Sequence, residues 1–130
     1  MSLFKKIFNS ESTPKEPQFE IPWIPLTDIK QLDELVELSK SKPVLIFKHS
    51  TRCGISSMTM RQFTGSYNYE ASQIQPYYLD LLSYRDLSNE IAIRFQVLHQ
   101  SPQLIVIKNG STVHAASHYE IQAASLERYI

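Results

Sequence analysis

The chain has 130 residues, 42% of them hydrophobic, and its 13 Lys+Arg against 13 Asp+Glu leave a formal net charge of zero. That length implies one domain able to bury its own core, and the balanced charge argues against nucleic acid as a partner. One cysteine excludes an internal disulfide and a Cys-rich zinc site, which fits a reducing, cytoplasmic setting.

Residues 1–20, punctuated by Pro14 and Pro17, read as a flexible leader. Its start, with Lys5 and Lys6 among Leu3, Phe4, Ile7 and Phe8, is too short in apolar residues for a signal peptide and reads as a loosely packed terminus. No run is long enough to span a membrane, so no membrane partner is expected. A single domain is expected over residues 21–130.

Within it, Ile21 to Leu26 suggests a short edge strand, because Pro22 and Pro25 are tolerated only at an edge; Trp23 reads as a packing anchor. Asp28 to Lys40 carries Ile29, Leu32, Leu35, Val36 and Leu38 at helical spacing, with Asp28 and Gln31 resembling a capping box. Val44 to His49 begins as an unbroken apolar run and predicts a strand covered on both faces. A helix follows, capped by Ser50 or Thr51, with Cys53 in its first turn and a left-handed stop at Gly65. Ile74 to Leu81 predicts the next strand, and Ser83 with Asp86 caps a helix bearing Leu87, Ile91 and Phe95. Gln103 to Lys108 and Ser111 to Ser117 predict a hairpin about Asn109-Gly110, since both turn positions need positive φ. Glu120 to Ile130 predicts a closing helix. An alternating half followed by a hairpin means a mixed sheet with helices on both faces, and that element order is that of the thioredoxin-like α/β fold.

The chemistry centres on Cys53. A thiolate at a helix start is stabilised by the unpaired N–H groups and peptide dipoles there, and Arg52 could add to this; a buried structural cysteine is the bland alternative. Three residues on, where a dithiol oxidoreductase has its resolving thiol, stands Ser56. A serine cannot resolve a mixed disulfide, though it can donate a hydrogen bond to the Cys53 thiolate, so the chain must work as a monothiol. Ser101-Pro102 precedes the hairpin, where the thioredoxin-like fold has a cis-proline opposite its active cysteine; a trans proline opening an edge strand is the alternative.

The segment Lys48-His49-Ser50-Thr51-Arg52-Cys53-Gly54-Ile55-Ser56 resembles the active-site segment of the monothiol bacilliredoxins, whose motif reads close to Lys-His-Ser-x-x-Cys-Pro-Ile-Ser. The similarity runs from about Ile21 to Ile130 and includes Ser101-Pro102-Gln103. It implies a protein that removes bacillithiol from S-bacillithiolated proteins through Cys53. It implies bacillithiol as thiol co-substrate, no tightly bound cofactor, and a flavin-dependent disulfide reductase acting indirectly. Cys53 and Ser56 are the catalytic candidates. Thr51, Arg52, Gly54, Ile55, Ser101 and Pro102 are the substrate-binding candidates, and a monomer is expected.

Gly54 departs from the motif's proline. Cys53-Gly54-Ile55-Ser56 also resembles Cys-Gly-Phe-Ser of the monothiol glutaredoxins that carry iron–sulfur clusters. That reading needs a dimer and two further thiols, and Gln100-Ser101-Pro102 replaces those proteins' Thr-Val-Pro. A redox-inert binding module on the same fold is a third possibility. His49 and His99 could act on the thiol or serve the fold; His114 and His118 lack the geometry and partners of a zinc site, so no metal is expected.

Overall fold

The segment Val44–His49 is buried at all six positions. A strand covered this way needs partners on both edges and layers on both faces. The computed structural model, which describes residues 21–130, supplies them. In chain order the elements are β1 (Ile24–Pro25), α1 (Lys30–Leu38), β2 (Val44–His49), α2 (Gly54–Ser66), β3 (Gln75–Asp80), α3 (Arg85–Phe95), β4 (Gln103–Lys108) and β5 (Ser111–Ser117). Two 3-10 segments follow, His118–Glu120 and Ala123–Tyr129. The sheet has five strands in the order β1-β3-β2-β4-β5. β1, β3 and β2 are parallel; β4 runs antiparallel to β2 and β5 antiparallel to β4. The expected mixed sheet of a thioredoxin-like fold is therefore present. The leader expected over residues 1–20 lies outside the described residues.

Alternation along β2 separates two cores. Val44 and Ile46 pack with Leu32 and Leu35 of α1 and Leu87, Ile91 and Phe95 of α3. Leu45 and Phe47 face Phe63 of α2, with Leu104, Val106, Ala123 and Leu126. Trp23 is an anchor in this second layer, its ring 6.1 Å from Phe47 and 5.9 Å from Tyr78 between centroids. Pro76 sits inside β3 without breaking the ladder to β2. Gln75 turns its N–H to Pro43 on the β2 side, so Pro76, one residue on, faces the other edge. There β1 pairs only with Tyr77 and Tyr78.

The start of α1 realises the chemistry of a capping box: the Gln31 side-chain oxygen accepts from the Asp28 and Thr27 N–H groups, and Asp28 accepts from Lys30 N–H. The hairpin turn has Asn109 at φ 53° and Gly110 at φ 78°, as its sequence demands. Ser39, just past α1, takes both turn N–H groups, on its carbonyl and its hydroxyl, each at 2.8 Å.

Four local expectations need correction. The segment from Ser50 to Arg52 does not cap α2 with a hydroxyl; it turns back on itself, with Cys53 N–H donating to the Ser50 carbonyl at 3.2 Å. Gly65 is not a left-handed stop, since α2 runs through it to Ser66 and leaves by the extended Tyr67, which is buried. Ser83 does not cap α3; its hydroxyl donates to Asp80, which holds the strand-to-helix turn from the end of β3. The closing segment is 3-10 rather than α-helical. Ala123, Leu126 and Tyr129, all packed against the second core, are three apart. Three residues per turn keep that spacing on one face, whereas an α-helix rotates it away.

Candidate active site

The end of β2 and the start of β4 meet at one end of the sheet, because Lys48 pairs with Gln103 across the antiparallel ladder. Cys53 follows the first by four residues, and Pro102 immediately precedes the second. The topology thus brings the thiol and the proline to the same sheet end. The Ser101-Pro102 peptide is cis.

Cys53 is half-buried and is the N-cap residue of α2 rather than a residue of its first turn, with extended φ −104° and ψ 123°. Its carbonyl accepts the first helical hydrogen bond, from Ser57 N–H at 3.0 Å. The N-cap side chain is where a serine or aspartate oxygen accepts from the free N–H groups of the first turn. Cys53 makes no such bond here, and a thiolate in this place is the acceptor those donors lack. Thr51, Arg52, Gly54 and Ile55 are exposed around it. A Cβ on Gly54 would meet nothing within 4 Å, so the fold does not require glycine there.

Ser56 is fully buried, and its hydroxyl is engaged away from the thiol. It lies 2.7 Å from His49 Nδ1 and accepts from Ser50 N–H at 3.1 Å, tying the first turn of α2 to the end of β2. The bond from Ser56 to Cys53 expected from the sequence is not among those formed by the described residues. His49 is 8% exposed. Burial holds it below the usual imidazole range, with the Asp80 carboxylate opposing, so the ring is neutral at physiological pH.

The cis-proline loop is pinned from inside. Gln103 donates its side-chain amide to the Leu98 carbonyl at 3.0 Å and accepts from Gln100 N–H. The Pro102 carbonyl accepts from His118 N–H at 3.1 Å, which draws the end of β5 to the loop. A shallow groove of about 410 Å³ lies there, lined by Gln100, Ser117, His118, Tyr119 and Glu120. The Ser101 hydroxyl is buried without a partner.

Residue composition alone gave no role to Lys48, yet it reaches this site. Its side chain is fully buried, and its Nζ lies 3.1 Å from His99 Nδ1. The signal was available: Lys48 shares the strand parity of Val44 and Ile46, so it points into the sheet's covered face. Among the described residues, no cluster of His, Cys, Asp and Glu could hold a metal ion.

A family model for the monothiol bacilliredoxin BrxC matches residues 24–126. The chain belongs to the monothiol bacilliredoxin family. A solved structure described as a candidate oxidoreductase with a thioredoxin fold is 34% identical, covers 82% of this chain and 92% of its own, and superposes with a TM-score of 0.70. Thioredoxin from Malassezia sympodialis, 15% identical over 91% of this chain and 94% of its own, has a TM-score of 0.63. Thioredoxin O2 from Arabidopsis thaliana, 16% identical over 86% of this bacilliredoxin-family chain and 94% of its own, has a TM-score of 0.62. At these identities the two thioredoxins speak for the fold alone. Family and fold together support a thiol redox role, and a single cysteine makes it monothiol.

Proposed function

We propose that this protein removes bacillithiol from S-bacillithiolated proteins by monothiol exchange. The observation that carries the reading is the family match over a chain whose one thiol stands at the N-cap position of α2, at the sheet end that holds a cis-proline. Cys53 thiolate attacks the bacillithiol sulfur of the mixed disulfide. The protein–bacillithiol S–S bond breaks, the target thiolate leaves, and Cys53 carries the bacillithiol. A free bacillithiol thiolate then attacks that adduct, releasing Cys53 and bacillithiol disulfide. Each step exchanges one disulfide for another, so no outside oxidant is needed. A flavin-dependent disulfide reductase would return the small disulfide to thiol. The reading places the protein in the cytoplasm as a monomer with no tightly bound cofactor; no helix among the described residues is long and apolar enough to cross a membrane.

Thr51, Arg52, Gly54 and Ile55 would contact the small thiol or the target on one side of Cys53. The backbone of Ser101, before the cis-proline, would line the other side and could pair with an extended substrate segment. Ser56 acts through position, by fixing the first turn of α2 that follows the thiol.

The test is mass spectrometry after incubation with bacillithiol disulfide and, separately, glutathione disulfide. The expected result is an adduct on Cys53 with the first and little with the second. A Cys53→Ser protein that still removes bacillithiol from a bacillithiolated target would refute the proposal.

A further inference from the structure

A lysine with no exposed surface needs a partner that compensates the loss of water. None of the ion pairs among the described residues includes Lys48. Its polar contact is neutral: His99 Nδ1, at 3.1 Å. An ammonium can only donate, so Nδ1 accepts and the ring proton sits on Nε2. His99 itself is exposed, in the loop that leads through Gln100 and Ser101 to the cis-proline. Burial and the positive charges of Lys48 and Arg85 all hold its pKa below the usual range, so the ring adds no charge of its own at neutral pH. The result is a fixed N–H donor at the surface, backed by a cation that cannot be seen from the surface.

We propose that Lys48 and His99 form an anion-recognition element at the rim of the exchange site, with His99 determining specificity for a carboxylate-bearing low-molecular-weight thiol. The inference rests on the exchange role of Cys53. Lys48 acts by positioning: it sets the His99 tautomer and supplies the field. The incoming carboxylate accepts from Nε2–H and provides the negative charge that none of the described residues places in an ion pair with Lys48. The site lies at the same sheet end as Cys53, since Lys48 is the last residue but one of β2 and pairs with Gln103, the residue after Pro102.

The experiment compares three small disulfides that differ in charge and share the same S–S chemistry: dithiodipropionate (anionic), hydroxyethyl disulfide (neutral) and cystamine (cationic). The rate of Cys53 adduct formation is read by intact-protein mass spectrometry at low and high salt. The wild-type protein should react roughly tenfold faster with the anionic than with the neutral disulfide at low salt, and the gap should narrow as salt is added. His99→Gln, an exposed change, and Lys48→Met, a volume-conserving one, should each reduce the ratio of the anionic to the neutral rate, measured within the same variant, to about twofold or less. Equal wild-type rates with all three disulfides overturn this inference and leave the exchange reading standing. An anion preference that survives both substitutions also overturns it and points to Arg52. Absence of any Cys53 adduct with all three overturns both readings.

Discussion

Replacing Ser56 by alanine removes one buried oxygen and the two contacts it makes, to His49 Nδ1 at 2.7 Å and from Ser50 N–H at 3.1 Å. The two orphaned groups are not equivalent. His49 is 8% exposed and has little access to water, so its ring nitrogen loses close to a full partner. Ser50 is half-buried, and its N–H can recover a water. An unsatisfied buried group costs about 1–3 kcal/mol and a replaceable hydrogen bond about 0.5–1.5 kcal/mol. Alanine's better helix propensity returns a few tenths of a kcal/mol. Ser56→Ala should therefore lose about 1.5–3 kcal/mol, read as a lower urea midpoint at unchanged m-value. A double-mutant cycle with His49→Leu should recover a coupling of about 1 kcal/mol, since each single change removes the same contact. The Cys53 adduct should still form in Ser56→Ala, because the serine is not the attacking group. A loss under about 0.5 kcal/mol, or no coupling to His49, would show that this hydroxyl does not lock α2 to β2.

Lys48 predicts a pH dependence of stability. Burial lowers its pKa from 10.5 to about 8 in the folded protein. Between those values the unfolded chain binds more protons than the folded one, so stability rises with pH. From about pH 7 to about pH 9.5 the gain should be about 2 kcal/mol by urea titration, and it should be absent in Lys48→Met, with the difference between the two proteins isolating the lysine; parallel curves would show that the buried amine does not titrate as described. Gly54→Pro should stabilise the fold. Cys53 already has the extended backbone that a following proline requires, Gly54 is the first helical residue, and an added Cβ meets open space. The expected gain is about 0.4–1 kcal/mol, or roughly 2–5 °C in Tm by calorimetry, and a lower Tm would mean that Gly54 N–H has a needed partner.

Much of this was legible along the chain. Val44 to Phe47 declared a strand covered on both faces, Asn109-Gly110 declared its turn, and Asp28 with Gln31 declared a helix start, because each rests on a local steric or hydrogen-bonding demand. The single cysteine before Ser56 set a monothiol chemistry because no other thiol exists in the chain to resolve it. Other features depend on residues far apart in sequence, and tertiary structure decided them. The Ser56 hydroxyl has several possible acceptors and donors, and only the docking of α2 on β2 assigns it to His49 and Ser50 rather than to the thiol. The last segment had an apolar spacing open to two helix types, and packing against the sheet selected the one that keeps Ala123, Leu126 and Tyr129 on one face. Strand parity marks Lys48 for a covered face, but its partner appears only when the fold brings His99, 51 positions away, to its amine.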